Sequence, residues 1–169
     1  MIKYWHYKDD VFEPIPIAHK DLVFVCIGTD RSTGDALGPI VGSTLQGMGV
    51  PNVYGTLKET VNALNIQSYK KYIKDNHPDA TVIAIDACLS KHESVGTITF
   101  KDTPLKPGAG VNKDLGEIGD YSLYGVVNVG GLMEYFVLQN TSLNLVMEMS
   151  KSIVKIIEMM FLSEPQIAI

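Results

Sequence analysis

Uninterrupted apolar runs alternate with apolar stripes of helical spacing along this chain. The run LVFVCIG at 22–28 has no polar break and ends in glycine, as parallel strands buried on both faces do. ATVIAIDA at 80–87 shows that pattern more clearly than any other segment. VGTITF at 95–100 is polar at alternate positions, which predicts a more exposed or an antiparallel strand. Alternation at 52–60 and the segment 122–127 predict two further strands. A helix is expected to open near residues 35–38, with Leu37, Val41, Leu45 and Met48 along one side. Pro39 is tolerated only near a helix start and so fixes that boundary. Residues 64–75 read as an amphipathic helix stopped by Asn76, His77 and Pro78. A short helical stretch at 131–139 precedes a longer one at 143–162, which carries a stripe of Val146, Met149, Ile153, Ile156, Ile157 and Met160.

Strands alternating with helices imply an α/β fold, a three-layer sandwich with a mostly parallel sheet and helices on both faces. Residues 1–20 are polar, aromatic and dotted with proline, and are expected to be an arm lying on the domain or a flexible lead. Residues 21–169 read as a single α/β domain, with no internal repeat and no dividing linker. In such sheets the ligand crevice lies beyond the carboxyl ends of the strands. The loop after the first run and the aspartate that follows residue 85 thereby become site candidates.

Composition narrows the function classes. The 169 residues suit one domain with a substantial core, and 46% apolar with 20% charged residues is a globular balance. A net charge of −5, with no Lys or Arg run, argues against a nucleic-acid partner. Glu148, Lys151, Lys155 and Glu158 interrupt the last apolar region, which disqualifies it as a membrane span. The first residues hold no apolar stretch of signal type, so a cytoplasmic location is expected. Cys26 and Cys88 lie in or beside apolar runs and read as buried structural thiols rather than a disulfide framework.

The segment GTDRSTGDALGP at 28–39 surrounds a strand-to-helix turn with glycines, so the turn can curl closely around a ligand. It matches neither a P-loop nor the dinucleotide fingerprint. Asp35 suits a helix N-cap, a carboxylate presented into the crevice, or both. Asp86, directly after an apolar strand, must be solvated, paired or functional, or else cap the next turn. Two nearby carboxylates separate their pKa values, so one can act as a base while its partner keeps a proton. Such a pair can activate a water and protonate a leaving amine, or it can bind a metal. Asp35, Asp86 and His92 would be the ligands of a metal site. Cys88 has only His92 or Lys91 near it in sequence and reads as packing. PGAGVNK at 107–113 reads as a loop that lines the crevice with N–H groups, Asn112 or Lys113, or as a plain surface loop.

GTDRSTGDALGP, VIAIDAC at 82–88 and PGAGVNK follow one another as comparable segments do in the spore germination protease family. These are bacterial aspartic-type endopeptidases that degrade small acid-soluble spore proteins, and the chain resembles them. It is more similar still to a shorter group of sporulation proteins related to that protease, whose pattern includes GVVNVGGLMEYFVLQNT at 125–141. The matching segments span residues 22–141. The resemblance implies the phosphorylase/hydrolase-like α/β fold shared with hydrogenase maturation endopeptidases. It also implies that Asp35 and Asp86 correspond to the two catalytic aspartates. In the hydrogenase enzymes the equivalent acidic positions bind nickel together with a downstream histidine. No histidine follows His92 here, which favours the aspartic-protease comparison.

The resulting expectation is a sporulation-associated aspartic-type peptidase in the forespore or mother-cell cytoplasm, with neither metal nor cofactor. Asp35 and Asp86 would be catalytic, while Gly28, Gly108, Gly110 and Asn112 would contact substrate or its oxyanion. Its substrates would be peptides or proteins, small acid-soluble spore proteins among them, with no nucleic-acid or membrane partner. The chain is much shorter than the germination protease. One rival is therefore a non-catalytic sporulation binding protein of the same fold, and another is a metal-binding hydrolase. A homo-oligomer built on the last helix and plain core packing both account for its apolar stripe.

Overall fold

The computed structural model describes residues 1–10, 12, 21–107 and 115–162. Its sheet is built from β1 (Ile2–His6), β2 (Leu22–Cys26), β3 (Val53–Tyr54), β4 (Thr81–Ser90), β5 (Thr97–Lys101) and β6 (Tyr121–Val129). The strand order is β1-β5-β6-β4-β2-β3. β3, β2, β4 and β6 run parallel, and β5 is antiparallel to both β6 and β1. The helices are α1 (Leu37–Gly47), α2 (Ile66–Asn76), α3 (Glu134–Gln139) and α4 (Leu143–Ile157), the last continuing into a π-helical turn, Glu158–Leu162. This is the expected α/β architecture.

The alternation of side chains along each strand feeds two apolar layers. Phe24, Cys26, Ile83, Ile85 and Leu123 face α1 and α4, whereas Val23, Val25, Ile27 and Ala84 face α2 through Ile66 and Ile73. Every member of the α4 stripe is buried in the core, so core packing accounts for the stripe. Among the described residues, no helix is long and apolar enough to cross a membrane.

Three elements depart from expectation. Residues 2–6 of the expected arm are an edge strand of the sheet: β1 pairs with β5, and its Trp5 is buried. One edge of backbone hydrogen bonds holds this strand although its composition is mostly polar and aromatic. The strand expected at 52–60 contracts to Val53–Tyr54, because a turn then leads the chain off the sheet. In that turn Thr56 N donates to Glu59 O at 2.9 Å and Glu59 N donates to Thr56 Oγ1 at 3.1 Å. Finally, β4 does not stop at Asp86 but runs on to Ser90, because β6 continues to pair with it.

Candidate functional site

The site forms where β2 ends and β4 does not. β2 pairs with β4 as far as Cys26 opposite Ile85, after which Ile27 N still donates to Ile85 O at 2.7 Å. The chain then turns away through Gly28, and the 3-10 turn Gly34–Ala36 packs against the exposed flank of β4. Gly28 makes this return possible. Its φ is +146°, and a Cβ there would lie 1.9 Å from the Asp35 carbonyl oxygen. Only a residue without a side chain lets the two backbone segments come so close. Thr29 N donates to that same Asp35 oxygen at 3.1 Å, which closes the loop.

From the other side the turn is held by α3 and the residues after it. A Cβ on Gly34 would meet Leu138 Cδ2 at 2.8 Å and Thr141 Oγ1 at 3.1 Å. Asn128, on β6, donates to Thr141 Oγ1 at 3.1 Å. The motif at 125–141 thus serves as a frame that presses the Asp35 turn toward β4.

The two carboxyl groups are electrostatically linked. Burial pushes the Asp35 pKa above the usual carboxylate range, and the nearby Ser32 hydroxyl moderates the rise. Burial raises Asp86 much further; the Ala87 N–H, donating to Asp86 Oδ1 at 2.8 Å, opposes the rise, and the charge of Asp35 adds to it. Asp86 is therefore the group that keeps a proton when Asp35 has lost its own. Ser32 is only 5% exposed, and its Oγ is buried without a formed hydrogen bond. Its hydroxyl is closed off from solvent beside Asp35.

Asp86 and Cys88 share one face of β4, and Tyr124 of β6 stands in register with Asp86. A cavity of about 510 Å³ opens beside them, lined by Cys88, Lys101, Ser122 and Tyr124 among others. Burial and the Asp86 charge push the Cys88 thiol up to about 12. It is consequently protonated and unreactive at neutral pH, although it is only partly buried rather than a core thiol as expected.

A family model described as "Protein of unknown function (DUF1256)" matches residues 5–156. The chain belongs to this family. It is also 56% identical over 135 residues to "Uncharacterized protein YyaC" of Bacillus subtilis (strain 168). That match covers 79% of this chain and 66% of the relative, slightly under two thirds of the relative's own length. No solved structure matches the chain.

In this DUF1256 member the residues expected at the site fall into three groups. Asp35 and Asp86 come together. Asp35 is not a helix cap: it lies within the 3-10 turn, and neither that turn nor α1 has a side-chain cap. Gly28 acts as a spacer in the turn, and its N–H is committed to Val61 O at 2.8 Å. Gly108, Gly110 and Asn112 lie outside the described residues. His92 does not join the aspartates. It is exposed in a separate turn after β4, and among the described residues no three His, Cys, Asp or Glu side chains converge on a metal position. Ser32 was not singled out by the sequence. It sits in a bend before the 3-10 turn Gly34–Ala36, and no pattern in the sequence marks it.

Proposed function

We propose that the chain is an aspartic-type peptidase acting in spore formation, in the forespore or mother-cell cytoplasm. Its substrates are peptides or proteins, with small acid-soluble spore proteins as the first class to examine. The observation that carries this reading is the coupled pair: two carboxyl groups brought close where the Gly34–Ala36 turn packs on β4, both raised in pKa, with Asp86 raised further by the charge of Asp35. The resemblance of the motifs around both residues to the germination protease supplies the substrate class.

In the proposed reaction ionised Asp35 takes a proton from a water whose oxygen attacks the peptide carbonyl carbon. Protonated Asp86 then gives its proton to the amide nitrogen as the C–N bond breaks, which leaves an acid and an amine. The two aspartates have exchanged protonation states, and a proton moving from Asp35 to Asp86 resets the pair. The Ser32 hydroxyl favours the ionised form of Asp35 that this step needs.

Incubation of the purified chain with small acid-soluble spore proteins, read by mass spectrometry of the fragments, tests this. Cleavage is expected from the wild type, with a loss of roughly 10³-fold or more in Asp35→Asn and Asp86→Asn while circular dichroism is unchanged. Retention of a partner without any fragment would replace the peptidase by a binding protein. Equal cleavage by both variants would sink the role of the pair.

A further inference from the structure

At the opposite edge of the parallel strands lies a second cavity, of about 550 Å³, whose chemistry differs from that of the aspartate crevice. It wraps around the edge strand β3 and is lined by Tyr54, Tyr69, Tyr72, Glu59, Thr56 and Gln46 among others. Tyr69 and Tyr72 stand three residues apart on α2 and so share a helical face. Their ring centroids lie 6.0 and 5.7 Å from that of Tyr54, at interplanar angles of 55° and 68°. Both rings are steeply inclined to that of Tyr54, which makes a box rather than a stack.

The box is held in place. The Tyr54 hydroxyl meets His77 Nε2 at 2.7 Å, and the Tyr69 hydroxyl donates to Glu59 Oε1 at 3.0 Å. Burial and neighbouring groups hold the Tyr54 and Tyr69 hydroxyls above the ordinary tyrosine range, so the rings stay neutral with electron-rich faces. Glu59 is the charged residue among those lining the cavity, and no Lys or Arg does so.

We propose that this tyrosine box is a binding site for an organic cation, an alkylammonium group held by the ring faces and by Glu59. Ring quadrupoles attract a cation placed over them, and a carboxylate at the rim adds to the attraction. The same carboxylate repels phosphates and carboxylates, which excludes the anionic ligands an aromatic pocket could otherwise stack. The ammonium can belong to a free amine or to a lysine side chain on a peptide, since the cavity lies at β3, an edge strand of the sheet, where peptides add to sheets. This assignment does not depend on peptidase activity.

The test is a proton NMR titration of the full chain, following the tyrosine ring resonances with three probes. These are choline, its neutral isostere 3,3-dimethylbutan-1-ol, and Nα-acetyl-lysine N-methylamide. Saturable shifts with choline or the lysine derivative are expected, with the alcohol at least about fivefold weaker. Glu59→Gln and Tyr72→Ala should each weaken cation binding by about fivefold or more. Both positions are exposed, so the fold is expected to survive, and the dispersion of the remaining resonances verifies it. Tighter binding of the lysine derivative identifies a peptide-borne ligand, and tighter binding of choline a free amine. Equal binding of the alcohol overturns the cation assignment. No saturable shift with either cation, or none of the expected weakening in the two variants, overturns the site.

Discussion

β4 passes through two environments. Up to Ile85 it is paired with β2, and Ile83, Ala84 and Ile85 are fully buried. From Asp86 to Ser90 only β6 pairs with it, and each of these residues is partly open. The apolar half builds the core, and the second half carries Asp86 and Cys88. The difference lies in the neighbour rather than in the strand, since the site begins where β2 gives way to the turn that bears Asp35. Polar chemistry is placed there because a folded-back loop leaves room that another strand would have filled.

The sharpest way to break this arrangement is at Gly28. Gly28→Ala drives a Cβ into the Asp35 carbonyl and strains a positive φ, so a loss of about 3 kcal/mol or more is expected in chemical denaturation. A midpoint close to that of the wild type would mean that the turn can leave β4 at little cost.

Asp86→Asn should act in the other direction. The folded-state pKa of Asp86 lies above its unfolded value, so its contribution to stability is present at low pH. That contribution is lost as pH rises from about 4 through the folded pKa. The asparagine variant is therefore expected to lose less stability on going from pH 5 to pH 8. At pH 8 it should melt above the wild type by roughly 2–4 °C, the effect of about 1 kcal/mol in a chain of this size. Thermal melts with the same pH slope for both proteins would show that Asp86 is solvated rather than buried against its partner.

The smallest effect is expected at Ser32. Removing the buried hydroxyl in Ser32→Ala, which makes no well-formed hydrogen bond, should change stability by no more than about 0.5 kcal/mol. Because that hydroxyl holds the Asp35 pKa down, its loss should move the acidic limb of a pH–rate profile to higher pH. An unmoved limb would separate Ser32 from the carboxylate.

The apolar runs made the parallel strands legible, and Leu37, Val41 and Leu45 marked the buried face of α1. Those signals depend only on burial, which composition records directly. β1 escaped because an edge strand is held by backbone pairing, which leaves little trace in side chains. The extension of β4 past Asp86 escaped for a related reason: a strand with one partner need not be apolar, so its end cannot be read from hydropathy. Asp35 and Asp86 were legible as a pair because the carboxyl ends of neighbouring parallel strands lie side by side. Ser32 and the tyrosine box were not, since one depends on how a short turn is folded and the other on how α2 packs beside β3.

A crevice made by stopping one strand early has a depth that can be counted in residues. Each residue added to β2 before Gly28 would extend it by about 3.3 Å along the flank of β4. Two would carry it past Asp86 and replace the turn with a hydrogen-bonded neighbour. The length of β2 is in this sense a ruler for the site. A loop inserted after Thr29 can alter what enters the crevice, but an insertion before Gly28 would close it.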